Sequence, residues 1–367
     1  MKFLFYVNHL GRKSTNATAI TILARDLSNY LKNIGYDVLI VGNKDLVEED
    51  IKVPYYSLNK DGKGDINYAK NLAKIIKEYK PDVIHAFMKP MCINLSLSTF
   101  FWKEKNSFYT GSFHNSDNFR NYGKKVYLPY RFLVKKLLER LDIITGPSNT
   151  VLKDIKDTYF VNEKKLKVLN NSINFSLIEK LSQDSIDIKD DYIINVGRLE
   201  EQKNQKALIR SFYKVSKVFP NLKLVIVGDG SLKEALIKLS KSLELEDKVI
   251  FTGYQNNPWK YMKRAKAFVL SSIFEGLPLV LIESMYLKVP IISFNITPSV
   301  EMTENGKLGI LAKSYDEDDL ADKIINLLKN PENYSDMISK AYNKSLLFSP
   351  ENFVQQLIKY KEEQAQK

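Results

Sequence analysis

The sequence contains few of the residues that form disulfides and metal centres. Its 367 residues include one cysteine, Cys92, and three histidines, His9, His85 and His114. A lone cysteine excludes an internal disulfide and is typical of a reducing compartment. The histidines lie far apart in the sequence and have no metal-ligand spacing, so we expect no cofactor and chemistry that does not depend on a metal ion.

Long hydrophobic runs are lacking as well. The opening segment Lys2–Val7 is apolar, but it ends at Asn8 and is too short for the core of a signal peptide. No segment approaches the roughly 20 apolar residues that are needed to span a bilayer. We therefore expect a cytoplasmic protein that is peripheral on the inner face of the cell membrane.

Positive charge is concentrated in the first half of the chain. The net charge is +12; residues 1–180 hold 29 Lys and Arg against 18 Asp and Glu, whereas residues 181–367 hold 26 against 25. A basic half with interleaved aromatic residues could face nucleic acid or an anionic membrane. The sequence has no zinc-finger spacing, RNP-like motif or basic zipper, so we expect no nucleic-acid partner and favour the membrane surface.

The length predicts two domains, because 367 residues exceed what one hydrophobic core usually serves. A strand, a helix and a second strand follow one another within residues 2–41, which indicates a β-α-β unit. A second β-α-β series begins near Asp191, after the polar run 182–185, which we interpret as the linker. The predicted domains cover residues 1–180 and 185–348.

Two histidines follow predicted strands of the first half. One strand is expected to end at His85, and another, over 107–111, is followed by His114. Open α/β sheets bind ligands at the carboxyl ends of their strands, so both are candidates for ligand contacts, with a structural role as the alternative. His9 stays unassigned, in a loop with a single glycine, Gly11, that predicts no phosphate-cradling glycine loop.

The segment 122–140 mixes aromatic and leucine residues with basic ones. Its later part has helical spacing, which predicts a helix that could lie in a lipid headgroup layer. The alternative is an ordinary amphipathic helix that packs on its own sheet. The apolar side is predicted to hold Phe132, Leu133, Leu137 and Leu138, and the basic side Arg131, Lys135 and Lys136.

Two cations follow the first strand of the second series. Arg198 comes directly after that strand, and Lys203 lies where the next helix begins. They could clamp a diphosphate, Arg198 by its planar fork and Lys203 as a point charge; the alternative is two solvated cations. The next strand is followed by Gly228, a weak signal by itself, and a further strand ends before Tyr254.

Residues 271–286 carry two glutamates around a predicted strand-to-helix turn. Glu275 precedes a helix that is predicted to start at Pro278 and to reach about Lys288, and Glu283 lies inside it. A helix start offers unpaired N–H groups to a phosphate, whereas carboxylates accept hydrogen bonds from sugar hydroxyls. The turn therefore predicts a site for a sugar and a phosphate, with two solvated acids as the alternative.

Seven residues separate Glu275 from Glu283, and Gly276, Leu277 and Pro278 follow the first glutamate. This pattern resembles the signature of retaining glycosyltransferases of family 4. The run Gly197-Arg198-Leu199 and the pair Lys203-Asn204 are similar to the same family. The resemblance implies the GT-B fold, with two doubly wound Rossmann-like domains facing each other across a cleft. It also implies that a C-terminal helix, about 350–367, crosses back to the first domain.

The resemblance further implies roles for single residues. Glu275 and His114 would lie at the transferred sugar, and Glu283 would hold the ribose. Arg198 and Lys203 would bind the diphosphate. The loops that contain Gly228, Gly276, Leu277 and Tyr254 would complete the donor site. One departure is that Ser172 and Asn174 stand where the family usually has glycine and aspartate, so no ligand role is expected there.

The expected function is transfer of a hexosyl or N-acetylhexosaminyl group from a nucleotide sugar, with UDP favoured, to a glycan or lipid-linked acceptor. The alternatives are a nucleotide-sugar epimerase or hydrolase on the same fold, which would form product without an acceptor, and a non-catalytic sugar-nucleotide-binding protein. The four residues Arg198, Lys203, Glu275 and Glu283 favour an enzyme, because binding alone does not require all of them.

Overall fold

The computed structural model describes residues 1–8, 19–44, 51–58, 65–114 and 128–366. The chain divides into two compact units. One comprises Met1–Ile173 together with Ser349–Lys367, and the other comprises Asn174–Phe348.

The first unit is built around a parallel sheet. Its strands are β1 (Lys2–Val7), β2 (Asp37–Gly42), β3 (Tyr55–Ser57), β4 (Val83–Phe87), β5 (Phe108–Ser112), β6 (Ile143–Gly146) and β7 (Leu166–Val168). Within the described residues they lie in the order β3-β2-β1-β4-β5-β6-β7. Its helices are α1 (Ala19–Asn33), α2 (Asp65–Tyr79), α3 (Lys89–Ser98), α4 (Leu128–Leu138) and α5 (Asn149–Tyr159).

Helices cover both faces of this sheet, which explains why its central strands are apolar along their whole length. All five residues of β4 and all five of β5 are buried. One face packs on α2 to α5, and the other on α1 and the C-terminal helix. That last helix, Pro350–Ala365, places Phe353, Val354 and Leu357 in the core of the first unit.

The second unit is also built around a parallel sheet. Its strands are β8 (Tyr192–Val196), β9 (Lys223–Val227), β10 (Val249–Gly253), β11 (Ala267–Leu270), β12 (Ile291–Phe294) and β13 (Ile310–Ala312). They form a parallel sheet in the order β10-β9-β8-β11-β12-β13. Its helices are α6 (Phe175–Leu181), α7 (Gln205–Val218), α8 (Lys233–Ser242), α9 (Trp259–Met262), α10 (Leu279–Tyr286), α11 (Thr297–Met302), α12 (Glu317–Lys329) and α13 (Ser335–Ser345), and α14 is the C-terminal helix Pro350–Ala365.

Both sheets are doubly wound, as the sequence predicted. The strand order reverses between β1 and β4 in the first sheet and between β8 and β11 in the second. At such a reversal the two following loops run in opposite directions and leave a crevice at the carboxyl ends of the strands, where ligands bind. In the second unit this crevice is bordered by the loops after β8 and β11.

The boundary between the units lies at residues 173/174, ahead of the polar run 182–185 that we interpreted as the linker. Those residues are fastened to the second unit: Asn257 donates hydrogen bonds to the Leu181 carbonyl and the Asp184 carboxylate, both at 2.8 Å. The run is polar because it ends a helix and caps its neighbours, and the linker interpretation is corrected accordingly.

His85 does not end its strand. It lies in the interior of β4, which continues to Phe87, and it is 0% exposed. Its ring packs edge-on against Phe87 and against Phe353 of α14. The prediction of a strand-end position was wrong because β4 continues for two more residues, and the rings of Phe87 and Phe353 pack against His85.

Helix α4 differs from its predicted faces. Val134, Leu137 and Leu138 are buried, whereas Phe132 and Leu133 are 48% and 56% exposed. The buried set has the i, i+3, i+4 spacing of one helix stripe, and Phe132 and Leu133 lie outside it. Of the basic side, Arg131 donates to the carbonyls of Asp157 and Thr158, and Lys135 lies 3.8 Å from Glu139.

No helix in the described ranges combines the length and the apolar character that crossing a bilayer requires.

Candidate functional site

The predicted diphosphate and sugar residues meet at the reversal point of the second sheet. The Nζ atom of Lys203 lies 2.6 Å from Oε1 of Glu275, and the two side chains are 17% and 8% exposed. Lys203 follows β8 and Glu275 follows β11, and these strands are neighbours in the sheet. Parallel pairing thus brings together two residues that are 72 positions apart in the sequence.

Several hydrogen bonds fasten the two loops to each other. Ser271 donates to the Lys203 carbonyl at 2.8 Å, and the backbone N–H of Ile273 donates to the Gln202 carbonyl at 2.8 Å. The Gln202 amide in turn donates to the Phe274 carbonyl at 2.9 Å. Because these bonds involve the backbone, the spacing of Lys203 and Glu275 does not depend on their own contact alone.

Ser272 gives Glu275 a second donor. Its hydroxyl lies 2.6 Å from Oε1, the same oxygen that Lys203 contacts. One carboxylate oxygen is therefore held from two sides, and among the described residues no hydrogen bond to Oε2 is found, so it can accept from another donor such as a sugar hydroxyl. This arrangement suits a hydrogen-bond acceptor of fixed orientation.

Arg198 lies in the loop after β8, as Lys203 does, and its side chain is exposed. Its backbone is held from below: Gln205 donates to the Arg198 carbonyl at 3.0 Å, and buried Asn195 donates to the Val269 carbonyl at 2.8 Å. No salt bridge within 4.0 Å engages Arg198 in the described part of the chain. Hydrogen bonds to the Glu200 carboxyl lower its pKa and the guanidinium helps to lower it further, and the exposure of Arg198 leaves the guanidinium accessible to an anion.

Gly228 supports the Arg198 loop through a close backbone approach. Its φ is +144°, and a Cβ there would stand 2.0 Å from the carbonyl oxygen of Gly197. A side chain at this position would push the loop after β9 away from the loop after β8. The donor-site role predicted for Gly228 stays a prediction, and the structure adds a packing reason for glycine.

Helix α10 starts one residue later than predicted and ends at Tyr286, with Pro278 as its N-cap residue. The loop that leads into it contains Gly276 and Leu277, both partly exposed directly after Glu275. The backbone N–H groups of the first turn of α10 come only a few residues after Glu275 in the chain. This turn supplies the dipole end that an anionic ligand prefers.

Glu283, on α10, has an unusual environment. Burial raises the pKa of its carboxyl to about 7, and the nearby Trp259 indole opposes the rise. The indole Nε1 is enclosed and has no partner of normal hydrogen-bond geometry among the described residues. Trp259 thus places an indole N–H beside a carboxyl whose pKa is raised well above its usual range.

If Glu283 holds the ribose, donor affinity should rise with pH between about 6 and 8. The free protein has a Glu283 pKa of about 7, and ribose hydroxyls stabilise the ionised carboxylate, so the pKa falls on binding and a proton is released. Calorimetry with a nucleotide sugar in buffers of different ionisation enthalpy measures that proton. The diphosphate of a nucleotide sugar is a diester and does not titrate between pH 6 and 8. A donor affinity of the parent that does not change with pH, and that equals the affinity of the Glu283→Gln variant, would contradict the assignment.

Tyr254 is not brought into this group. It is 71% exposed at the carboxyl end of β10, and two strands separate β10 from β11. No hydrogen bond or ring contact ties it to the other predicted residues within the described ranges. A base-contacting role for Tyr254 stays a prediction.

His114 belongs to the first unit, two residues after β5, and is 7% exposed. The Ser112 hydroxyl lies 2.7 Å from its Nε2 and 3.0 Å from Nε2 of His85. Burial lowers the pKa of His114 to about 4, with Asn171 opposing the shift, and that of His85 to about 3. Both rings are therefore neutral at pH 7, so His114 can exchange hydrogen bonds with a ligand but carries no charge.

Two positions without an expected ligand role have structural ones. Asn174 caps α6, because its Oδ1 accepts from the backbone N–H of Leu177 at 3.1 Å. Asp316 caps α12 by accepting from the N–H groups of Asp318 and Asp319, so the acidic run 316–319 serves as a helix cap. His9 and Gly11 lie outside the described residues, as do Lys124 and Lys125.

Sequence reasoning missed the residues that support the pair. Ser271 and Ser272 directly follow β11, so their position at a strand end was the available signal. Gln202 and Trp259 gave no signal, because their partners are far away in the sequence. Only the packing of the loops after β8 and β11 reveals Gln202, and only the nearness of the Trp259 indole to the Glu283 carboxyl reveals Trp259.

This arrangement of two doubly wound units, with a cationic and acidic crevice at the reversal of the second sheet, defines the class of GT-B glycosyltransferases. The family model described as Glycosyltransferase Family 4 matches residues 20–177, and that described as Glycosyl transferases group 1 matches residues 178–344. The chain belongs to the family 4 glycosyltransferases, as the sequence motifs predicted.

Individual relatives agree with that assignment. An uncharacterized glycosyltransferase of Methanocaldococcus jannaschii, MJ1059, is 32% identical over 66% of this chain and 66% of its own length. A Campylobacter jejuni enzyme, N-acetylgalactosamine-N,N'-diacetylbacillosaminyl-diphospho-undecaprenol 4-alpha-N-acetylgalactosaminyltransferase, is 31% identical over 63% of this chain and 62% of its own length. The matches thus span less than two thirds of these relatives.

A solved structure extends the likeness of fold to nearly the whole chain. Anabaena Alr3699/HepE, crystallised in complex with UDP, superimposes with a TM-score of 0.79 at 17% identity. The alignment covers 98% of this chain and 99% of that one.

Proposed function

We propose that this protein is a retaining glycosyltransferase that moves a hexosyl or N-acetylhexosaminyl group from a UDP-sugar to a glycan or lipid-linked acceptor in cell-surface glycoconjugate synthesis. The observation that carries the proposal is the Lys203–Glu275 pair at 2.6 Å, with exposed Arg198 in the same loop as Lys203. The Campylobacter relative is named for transfer of N-acetylgalactosamine to a diphospho-undecaprenol acceptor, and HepE was crystallised with UDP. These names support the donor and acceptor classes.

Each group has one task in the proposed donor site. Arg198, Lys203 and the first turn of α10 hold the diphosphate, while the free oxygen of Glu275 accepts from a sugar hydroxyl. Glu283 accepts from the ribose, with Trp259 donating beside it. His114 contributes a neutral ring from the first unit, and the loops with Gly228, Gly276, Leu277 and Tyr254 border the donor.

We propose a same-face displacement. The bond between the anomeric carbon and the diphosphate oxygen breaks, and a bond forms between that carbon and the acceptor oxygen. The acceptor proton goes to the leaving diphosphate, whose negative charge Arg198 and Lys203 stabilise. In this route Glu275 forms no covalent bond with the sugar; Lys203 and Ser272 hold its Oε1, and its Oε2 accepts a hydrogen bond from a sugar hydroxyl.

A thermal-shift panel of UDP-, GDP- and ADP-sugars tests the donor class. A donor at one hundred times its dissociation constant stabilises the folded state by about 2.7 kcal/mol. Proton NMR of the product then reports whether the anomeric configuration is retained. Absence of any shift would contradict a nucleotide-sugar site, and sugar release without an acceptor would indicate a hydrolase or epimerase instead.

Activity should survive EDTA in full. The sequence has no Asp-x-Asp at a strand end, and the cations Arg198 and Lys203 supply the charge that a metal would otherwise bring to the diphosphate. Initial rates with and without chelator measure this directly. A loss on chelation that Mg²⁺ or Mn²⁺ restores would contradict the proposal of a metal-independent enzyme.

We further propose that residues 1–180 carry the acceptor and hold the protein to the anionic inner face of the cell membrane. Replacing Lys124, Lys125, Arg131, Lys135 and Lys136 together with Gln should abolish sedimentation with anionic vesicles and leave donor binding intact. Each basic residue near such a surface contributes roughly 1 kcal/mol, so salt should also release the protein. Sedimentation of the variant at the level of the parent would refute this role of the segment.

A further inference from the structure

A turn after α3 presents three consecutive aromatic residues to solvent. Phe100, Phe101 and Trp102 are 63%, 50% and 38% exposed. The turn is ordered, because their backbone N–H groups donate to the carbonyls of Leu97 and Ser98 at 3.0–3.1 Å. Exposed aromatic side chains on a fixed backbone lose little conformational freedom when they are covered, so this turn suits a docking contact.

Basic side chains surround this aromatic turn. The guanidinium of Arg140 lies 3.8 Å from the centre of the Phe100 ring, and the ammonium of Lys77 lies 4.7 Å from that of Trp102. Lys103 and Lys105 follow directly and are exposed. The surface therefore combines apolar rings with cations that lie against them.

The nearby carboxylates offset little of this charge. Asp142 accepts from the backbone N–H of Tyr109 at 2.7 Å and lies 3.7 Å from Lys103. Glu104 accepts from the N–H of Lys105 at 3.2 Å. Within the described part of the chain, Lys77, Lys103, Lys105 and Arg140 outnumber these two carboxylates, both of which already accept hydrogen bonds.

The aromatic turn lies at the edge of the first sheet where the strands begin. Lys103 contacts Asp142, just before β6, and Tyr109, at the start of β5. His114 follows the other end of β5, and a strand of five residues spans roughly 17 Å. Docking through the turn therefore leaves the carboxyl edge of the sheet, where ligands bind, uncovered.

We propose that Phe100, Phe101 and Trp102 insert into the interface of an anionic lipid bilayer, while Lys77, Lys103, Lys105 and Arg140 contact its headgroups. The inference rests on the membrane attachment proposed above. It assigns to that attachment a surface that the distribution of charge along the sequence did not indicate. Aromatic rings favour the headgroup level of a bilayer, and adjacent Lys and Arg bind anionic lipid. A protein partner fits less well, because the cores of protein interfaces are depleted of lysine.

The decisive variant replaces Phe100, Phe101 and Trp102 with Ser. In sedimentation with vesicles that contain phosphatidylglycerol, we expect its partition coefficient to fall at least tenfold relative to the parent. A matched control removes two exposed apolar residues elsewhere, Ile66 and Leu347, which are 69% and 52% exposed, and should sediment like the parent. UDP-sugar binding should be unchanged in both variants, which separates loss of docking from loss of the donor site.

Tryptophan fluorescence tests whether the aromatic turn is the part of the protein that contacts the vesicle. The chain has two tryptophans, Trp102 and Trp259, so a Trp259→Phe protein reports Trp102 alone. Its emission should shift to the blue on vesicles and be quenched by brominated lipid. Unchanged Trp102 emission on bound vesicles, equal sedimentation of the triple Ser variant and the parent, or failure of the parent to sediment would overturn the proposal. A triple Ser variant that only converts a dimer to a monomer would also overturn it.

Discussion

Replacing Arg198 with alanine should lower the rate of sugar transfer by about 10²-fold or more while leaving the fold intact. Arg198 is exposed, and its position depends on backbone contacts from Gln205 and not on its guanidinium. In the proposed reaction that guanidinium meets negative charge that grows as the diphosphate leaves. Loss of one such donor typically costs 10²- to 10³-fold in rate, or about 2.7–4 kcal/mol of transition-state stabilisation.

The measurement is kcat/KM for a UDP-sugar, together with the thermal unfolding midpoint. A matched control is Arg210→Ala, which removes an equally long exposed cation from α7, where it pairs with Glu317 at 3.3 Å. The control should retain parental kinetics. An Arg198→Ala enzyme with near-parental kcat/KM would remove Arg198 from the site.

Replacing Glu275 or Glu283 with Gln should change different kinetic constants. Glu275→Gln should lower kcat by about 10²-fold with little change in KM, because Glu275 orients the sugar in the transition state. Glu283→Gln should raise KM about tenfold with kcat nearly unchanged, because a ribose contact is made equally before and during reaction. Steady-state kinetics with the preferred donor separates the two, and exchanged effects would refute the assignment.

Glu275→Gln also leaves Lys203 without its anionic partner. Since both side chains are largely buried, this should lower the unfolding midpoint as well as the rate. The double variant Lys203→Gln/Glu275→Gln removes both charges and should recover part of that stability without recovering activity. Recovery of activity in the double variant would mean that the pair is only structural.

Much of the second unit could be predicted from the sequence because its signals are local. Apolar runs marked its strands, and the spacing from Glu275 to Glu283 marked a strand-to-helix turn that the structure contains. Helix ends were predicted less well: α10 starts one residue later and ends two residues earlier than expected.

Predictions that depended on burial were less successful. The faces of α4 were assigned from spacing alone, yet its neighbours bury Val134 and leave Phe132 in solvent. His85 was placed at a strand end, but the strand continues and the ring is covered by α14, which comes more than 260 residues later in the chain. The aromatic turn 100–102 gave no sequence signal, because apolar residues usually indicate core.

The sequence by itself determined the two doubly wound units, their strands and the charged residues of the proposed donor site, because period, glycine turns and motif spacing act over a few residues. Only the tertiary structure decided which of those residues meet. Parallel pairing of β8 with β11 sets Lys203 against Glu275, burial raises the pKa of Glu283, and packing of the first unit leaves Phe100, Phe101 and Trp102 exposed. Each of these depends on which distant segments exclude water from a side chain, and that is a property of the packed chain.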